Sequence, residues 1–566
     1  MKLKKEILAF LPCFLVACAG GNPQLVTSDD PGTALIRIYK DNDSPSKQRY
    51  IPPKNVKLKY NYSDLSGTLS NNENVCPSLG EVNLLVIPVH VPGDNTYRTE
   101  KTRNDIEKVF FGEKDDSMGF YSLREFFETS SFGKLHFQGK VTDWFDLDQH
   151  TSIQNPSQIT AGNTGTILNE ILRKATSWAK DTQGIDLKDY DKNEDGSIDA
   201  IWMVYDHLDW TTEWQQRLKE DPSDRGEDLN SAFWNFTSWD WGTEPNFIEG
   251  QDPTTSGFSW ASFDMMYTPY APRDEQDLVD ISDLSSIPLD SHTFIHETGH
   301  LLGLDDYYTS DNTYHPAGHF TMMDQNVCDF DSYSKMLLGW VTPYVVYGTS
   351  EILLQTASEH EHGVIVIPTN YAEISTQIEQ AIKSETIEDF VYEFNPFDEY
   401  LMIDLYSPDG LNEIDTYGPF LDGRESGISK TGVRLYHIDS RIFKCKVINY
   451  DGGQKFSYTE GYVWDGKRLA NDEAILMPIS NEKTESSSFQ LPKSFDYYDQ
   501  IRLLEAGQMN TFDLGGKANN QTVWTPDSQP FDIATFGYQF FQGTHTFHNG
   551  ADLPFKMKVL TLKEVE

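Results

Sequence analysis

Two imidazoles and a carboxylate stand at His296, Glu297 and His300, within the string HETGHLLGLDD. Histidines four apart on a helix lie one turn above the other on the same face. Their ring nitrogens can grip one metal ion, and the glutamate between them can reach a water beside it. Zinc suits such donors, and a catalytic zinc takes three protein ligands and leaves one position open. The third ligand must come from elsewhere. Gly303 can end the helix in a left-handed turn. Asp306 then falls where a returning chain presents an oxygen, in preference to Asp305, with His315 and His319 as competitors on the next loop. No glutamate occurs between Thr298 and Ser350, which disfavours a site completed by a glutamate from a later helix. The flanking Phe294, Ile295, Leu301, Leu302 and Leu304 make the helix largely apolar. Burying two histidines and a glutamate there costs free energy unless something satisfies them, and a metal would.

Further segments accompany this string. Phe320-Thr321-Met322-Met323-Asp324 follows it, then Tyr333-Ser334-Lys335-Met336-Leu337-Leu338-Gly339-Trp340. Val86-Ile87-Pro88-Val89 and the stretch from Phe126 to Leu135 precede it, and Gly432 to Asp439 reads GVRLYHID. Together they resemble the M6 metallopeptidases of the immune inhibitor A type, within the metzincin-like zinc proteases, over residues 80 to 440. The resemblance implies a zinc endopeptidase with His296, His300 and Asp306 on the metal and Glu297 as the catalytic acid–base. It implies a Met-turn at Met323, packed under the ligands. Phe320 stands where a tryptophan is common. The implied fold class is α+β: a protease domain with a mixed sheet and an active-site helix, followed by antiparallel β structure.

A second constellation lies at Asp191, Asn193, Asp195, Gly196, Ser197 and Asp199. Oxygens at alternate positions before a sharp glycine turn are what a calcium loop needs. The twelfth position is Trp202, not glutamate, so a full EF-hand is excluded. A shorter, structural calcium loop is the expectation. The competing reading is a polar turn before the buried strand that starts at Ala200.

The chain opens with Lys2, Lys4 and Lys5, then an apolar run from Ile7 to Ala17, then Cys18. Basic, apolar and small residues in that order form a signal peptide. The box Leu15-Val16-Ala17-Cys18 resembles a lipoprotein cleavage site, which implies lipid on Cys18 and an extracytoplasmic, envelope-anchored protein. Asp and Glu number 88 against 45 Lys and Arg, a net charge of −43. Such a surface repels nucleic acid, so none is expected as a partner. Of five cysteines, Cys76, Cys328 and Cys445 remain after cleavage and lipidation, too few for a disulfide scaffold. Cys76 reads as a small buried thiol, with a zinc-capping role in a latent form as the alternative.

With 566 residues the chain exceeds one core. The reading divides it into a signal peptide (1–17), a lipidated tether (18–33), a small β element or pro-segment (34–79), the zinc-peptidase domain (80–345), a β-rich accessory region (346–485) and a β-sandwich-like end (486–566). Helices are expected over 117–128, 166–180 and 292–302. The stretch 206–260, dense in tryptophan, reads as an insertion or lid anchored on the body, with a substrate groove as the alternative. Tyr307, Tyr308 and Tyr333 are candidates to face an oxyanion, outside the catalytic set. Two function classes follow: a surface-anchored endopeptidase acting on extracellular proteins, or an inactive protease-fold adhesin or carbohydrate-binding lipoprotein. Glu297, which an inactive protein has no need to keep, favours the first.

Overall fold

Along the strand Gly80–His90, Val82, Leu84 and Val86 join one buried cluster while Leu85, Ile87 and Val89 join another. Ala200–Tyr205 divides likewise, with Trp202 and Val204 on one side and Met203 and Tyr205 on the other. Alternation of this kind, apolar on both faces, builds the middle of a parallel sheet covered on two sides. In the computed structural model the strand order is Leu135–Val141, Gly80–His90, Ala200–Tyr205, Gly257–Ser262, Phe236–Trp239. The first four run parallel, and Phe236–Trp239 closes one edge antiparallel to its neighbour.

The described residues are 27–41, 48–55, 76–366, 399–418, 428–481 and 498–565, less short gaps at 94–95, 114, 116, 227–228, 241–247, 249, 310, 359, 441, 451–452, 461–473, 508–510, 537–545 and 549–550. The expected signal peptide, Cys18, most of the tether and Trp241 lie outside them.

Helix Thr164–Gln183 covers one face of the sheet and ends on a left-handed Gly184. Helices Glu100–Phe111, Leu123–Ser130 and His292–Leu301 cover the other. The helix expected over 117–128 begins later, at Leu123, because Ser122 and Glu125 form a capping box that fixes the first turn. The stretch 206–260 is not a lid. It supplies helix Trp210–Glu220 and two strands of the sheet, and Trp260 stacks on Tyr205 at 4.5 Å inside the core.

Most of the remaining strands form a sandwich, and Gly453–Glu460, Ile442–Tyr450 and Ala474–Pro478 make a separate three-stranded sheet. One sheet orders Ile501–Leu504, Gly432–Asp439, Glu399–Tyr406, Val364–Val366, Tyr344–Val346 and Tyr50–Ile51. The other orders Ser350–Gln355, Thr33–Tyr39, Lys556–Lys563 and Phe531–Asp532. Ile36, Ile38, Leu354, Ile403, Leu435 and Met557 share the core between them. Segments read from sequence as an N-terminal element (34–79), an accessory region (346–485) and a terminal sandwich (486–566) thus pool strands in one body. Thr33–Tyr39 is sandwiched by pairing with Ser350–Gln355 and Lys556–Lys563, partners too distant in sequence for any local pattern to announce.

The two halves are tied by polar groups. Asp404 and Arg434 face each other across neighbouring strands and bond twice, at 2.8 and 2.9 Å, both buried. Ser332, on the short helix Ser332–Leu337 that follows the active site, donates to the same Asp404 at 2.6 Å. A buried charge so paired and hydrogen-bonded is tolerated, whereas removing either partner leaves the other uncompensated.

Candidate active site

The helix His292–Leu301 is buried on every side, with only His300 partly open. It stops because the chain turns left-handed at Gly303, φ 96°. Leu304 N–H donates to the Gly299 carbonyl and Gly303 N–H to the His300 carbonyl, so the last orphan carbonyls are satisfied in a Schellman arrangement. That turn sends Asp306 back over the helix face.

There the three expected metal-ligating groups converge. His296 Nε2 lies 3.0 Å and His300 Nε2 3.3 Å from Asp306 Oδ1. The other ring nitrogens are occupied: His296 Nδ1 donates to the Met322 carbonyl at 2.8 Å and His300 Nδ1 to the Leu304 carbonyl at 2.7 Å. Each ring is thereby held with Nε2 aimed at the shared point, as outer partners of metal-binding histidines do. The ring planes cross at 85° with centroids 4.8 Å apart, so both can contain one ion. Burial opposes a charged His300, but Asp306 outweighs it and lifts the imidazole to about 10; in turn the two imidazoles hold Asp306 well below the usual carboxylate range despite its own desolvation. The pocket demands positive charge beside Asp306. The donor set of two imidazoles and one carboxylate fits zinc. Exposure grows from His296 (3 %) through His300 (17 %) to Asp306 (40 %), so the convergence point opens to solvent on the Asp306 side.

Asp305 and His319 take no part in this group, nor does His315. The segment at Met322 and Met323, where a Met-turn was expected, serves both ends of the group. The Met322 carbonyl fixes His296, and the Met323 carbonyl accepts from Tyr307 N–H, steadying the segment that bears Asp306. The Met323 sulfur sits beneath Gly299, 2.6 Å from where a Cβ would stand, so only glycine allows this approach.

Glu297 is buried too. Its Oε1 accepts from Asn235 Nδ2 at 2.7 Å, and its Oε2 lies 2.9 Å from Thr237 Oγ1. Asn235 and Thr237 belong to the antiparallel edge strand Phe236–Trp239 and the residue just before it. Neither was legible from the sequence, because the contacts span 62 and 60 residues and neither residue type is distinctive. Tyr307 and Tyr333 do not reach the site; both are packed in the core, Tyr307 bonding Ser334 at 2.7 Å. Tyr308 does, its hydroxyl bonding Asp306 and its ring 6.3 Å from that of His296. Cys76 is a buried thiol outside the metal group, its N–H donating to the Leu301 carbonyl, and burial pushes its pKa up.

The loop from Asp191 to Asp199 closes mainly on its own backbone. Asp191 accepts from Asp195 and Gly196 N–H, Asn193 from Asp195 N–H, Asp195 from Ser197 N–H and Asp199 from Lys192 N–H. Gly196 turns at φ 90°. The carboxylates of Asp191, Asp195 and Asp199 do not meet as closely as the zinc triad does. Ser197 Oγ and Asp199 Oδ1 are nevertheless buried without a hydrogen-bond partner. Burial, then the charges of Asp195 and Asp191, push Asp199 up to about 7.

Residues 87–217 match the family model described as immune inhibitor A peptidase M6, catalytic domain. The match takes in the end of Gly80–His90 and the strands Leu135–Val141 and Ala200–Tyr205 and ends well before the helix His292–Leu301, so it and the histidine triad are independent signals. No curated protein matches the chain. Over residues 87–217 the chain is similar to the catalytic domain of an M6 metallopeptidase, and its fold is α+β. The resemblance carried by the sequence motifs points to the same family.

A histidine absent from the expected set anchors the helix start. His292 is fully buried, with Nδ1 2.7 Å from Asp290 and Nε2 3.0 Å from Asp415, which lies on helix Glu413–Tyr417 of the sandwich half. Burial opposes its charge, but the two carboxylates prevail and raise its pKa to about 9. A histidine held above its unfolded value of about 6.5 stabilises the fold fully below that pH, and the contribution disappears as pH rises through 9. We predict that stability in urea falls between pH 6.5 and 9 by up to about 3 kcal/mol, and that His292→Gln flattens this slope. An unchanged slope in the variant would exclude the imidazolium.

Proposed function

We propose that this protein is a zinc-dependent endopeptidase that cleaves extracellular proteins while anchored to the cell envelope by lipid on Cys18. The observation that carries the reading is the convergence of two oriented imidazoles on the Asp306 oxygen beside a buried glutamate. His296, His300 and Asp306 would hold the ion. Zinc so bound polarises a peptide carbonyl and lowers the pKa of a water. Glu297 accepts the proton that the attacking water sheds and passes it to the departing amine. The amide of Asn235 and the hydroxyl of Thr237 keep that carboxylate aimed. Among the described residues the strand that carries Thr237 pairs with another strand on one side only, so an extended peptide could add to its other edge, which suits a chain substrate better than a small amide.

Glu297→Gln should lower kcat/KM on a protein substrate at least about 100-fold while leaving one zinc per triad by mass spectrometry. Cleavage at the wild-type rate would remove Glu297 from the mechanism. A folded, zinc-loaded wild type that cuts no peptide in a complex mixture would instead favour the adhesin reading.

Two further parts of the proposal concern location and a structural ion. The motif at Cys18 supports lipid anchoring, and no helix among the described residues is long and apolar enough to cross a membrane. Cys18→Ser should shift the protein from the membrane to the soluble fraction; unchanged membrane retention would refute the anchor. At the Asp191–Asp199 loop, the buried oxygens of Ser197 and Asp199 support a calcium ion. Calcium at 100 times its dissociation constant should then add roughly 2.7 kcal/mol of stability, seen as a higher melting temperature. Asp195→Asn with Asp199→Asn should abolish the increment, and a wild type indifferent to calcium would leave the loop a hydrogen-bonded turn.

A further inference from the structure

The motif Gly432–Asp439 carries His437 and Asp439, which the peptidase chemistry does not use. Asp439 ends its strand directly opposite Glu399, and His437 lies opposite Leu401, two places along. Residues directly opposite, and those two apart, point to one face of a sheet. Glu399, His437 and Asp439 therefore share a face, and all three are fully buried. Two carboxylates set opposite each other out of water repel strongly unless positive charge lies between them.

The C-terminal turn brings a second imidazole to the same place. His548 N–H donates to Glu399 Oε1 at 2.8 Å. Its Nδ1 stands 3.7 Å from Glu399 Oε1 and 3.7 Å from Asp439 Oδ2. His437 Nε2 is 2.7 Å from Glu399 Oε1. Ligand atoms around a tetrahedral ion at about 2.1 Å stand roughly 3.4 Å apart, and the donor atoms of Glu399, His437 and His548 already lie within 4.8 Å of one another; Asp439, 3.7 Å from His548, completes the set by a larger side-chain movement. Ring orientation fits as well. The planes of His437 and His548 cross at 74° with centroids 5.2 Å apart, close to the disposition of His296 and His300. A third cluster, His315, His319 and Asp324, fails the same test. Its rings stack at 3.6 Å and only 23°, and near-parallel planes cannot both contain one ion.

We propose that Glu399, His437, Asp439 and His548 form a second metal site, closed and structural, that takes zinc or a similar divalent transition ion. Imidazole donors argue against calcium or magnesium, which prefer oxygen alone. Four buried protein ligands leave no position for substrate, so the ion fastens the C-terminal turn to the ends of two sandwich strands.

Metal content of the full chain tests this without reference to proteolysis. After zinc loading and desalting, the wild type should hold about two zinc ions per chain that resist removal by gel filtration. His296→Asn with His300→Asn should leave about one, and adding His548→Asn should leave none while the circular dichroism spectrum is retained. If that last variant does not fold, X-ray absorption of the cobalt-loaded triad variant decides: two imidazoles in the shell support the site, and an oxygen-only shell overturns it. A wild type with one zinc and a folded triad variant with none overturns it as well. One zinc in both would retain this site and remove the triad.

Discussion

The molecule turns on one requirement: two imidazoles and one carboxylate oxygen must point at a single spot from a helix that is otherwise buried. A helix supplies the imidazoles by its own periodicity. It cannot supply the carboxylate, because Asp306 lies beyond its end. The left-handed turn at Gly303 solves this by folding the chain back within three residues. Everything else near the site holds these directions fixed. The Met322 and Leu304 carbonyls set the two rings, and the Met323 carbonyl steadies the returning segment.

The helix is polar in a place where polarity is costly, and the structure answers group by group. Asn235 and Thr237 satisfy Glu297, Trp202 donates to Thr298 at 3.1 Å, and Asp290 and Asp415 enclose His292. Partners come from the edge strand, from the central strand and from the sandwich half. The histidine-bearing helix is therefore held by both halves of the chain, and Asp415 and Asp404 make the sandwich part of the frame of the site.

The sandwich shows how far topology departs from linear order. Its strands come from residues 33–39, from 344–366, from 399–439 and from the last hundred residues. The chain ends are thereby paired with each other, Thr33 with Lys563 and Tyr39 with Lys556. Such closure joins the N-terminal and C-terminal segments to the body through backbone hydrogen bonds.

Spacing alone pointed to a metal site: HExxH on an apolar helix, then a glycine and an aspartate beyond it, is a local pattern, and local patterns survive in a one-dimensional string. The buried strand from Ala200 and the turn at Gly196 were legible for the same reason, whereas the capping box at Ser122 was not read and the helix start was expected too early. Only the tertiary structure decided which residues hold Glu297, why His292 is charged, that Trp260 is core rather than lid, and that His548 meets His437. Each of those depends on at least one contact between residues distant in sequence, fixed by the packing of whole sheets, and no periodicity in sequence encodes such pairings.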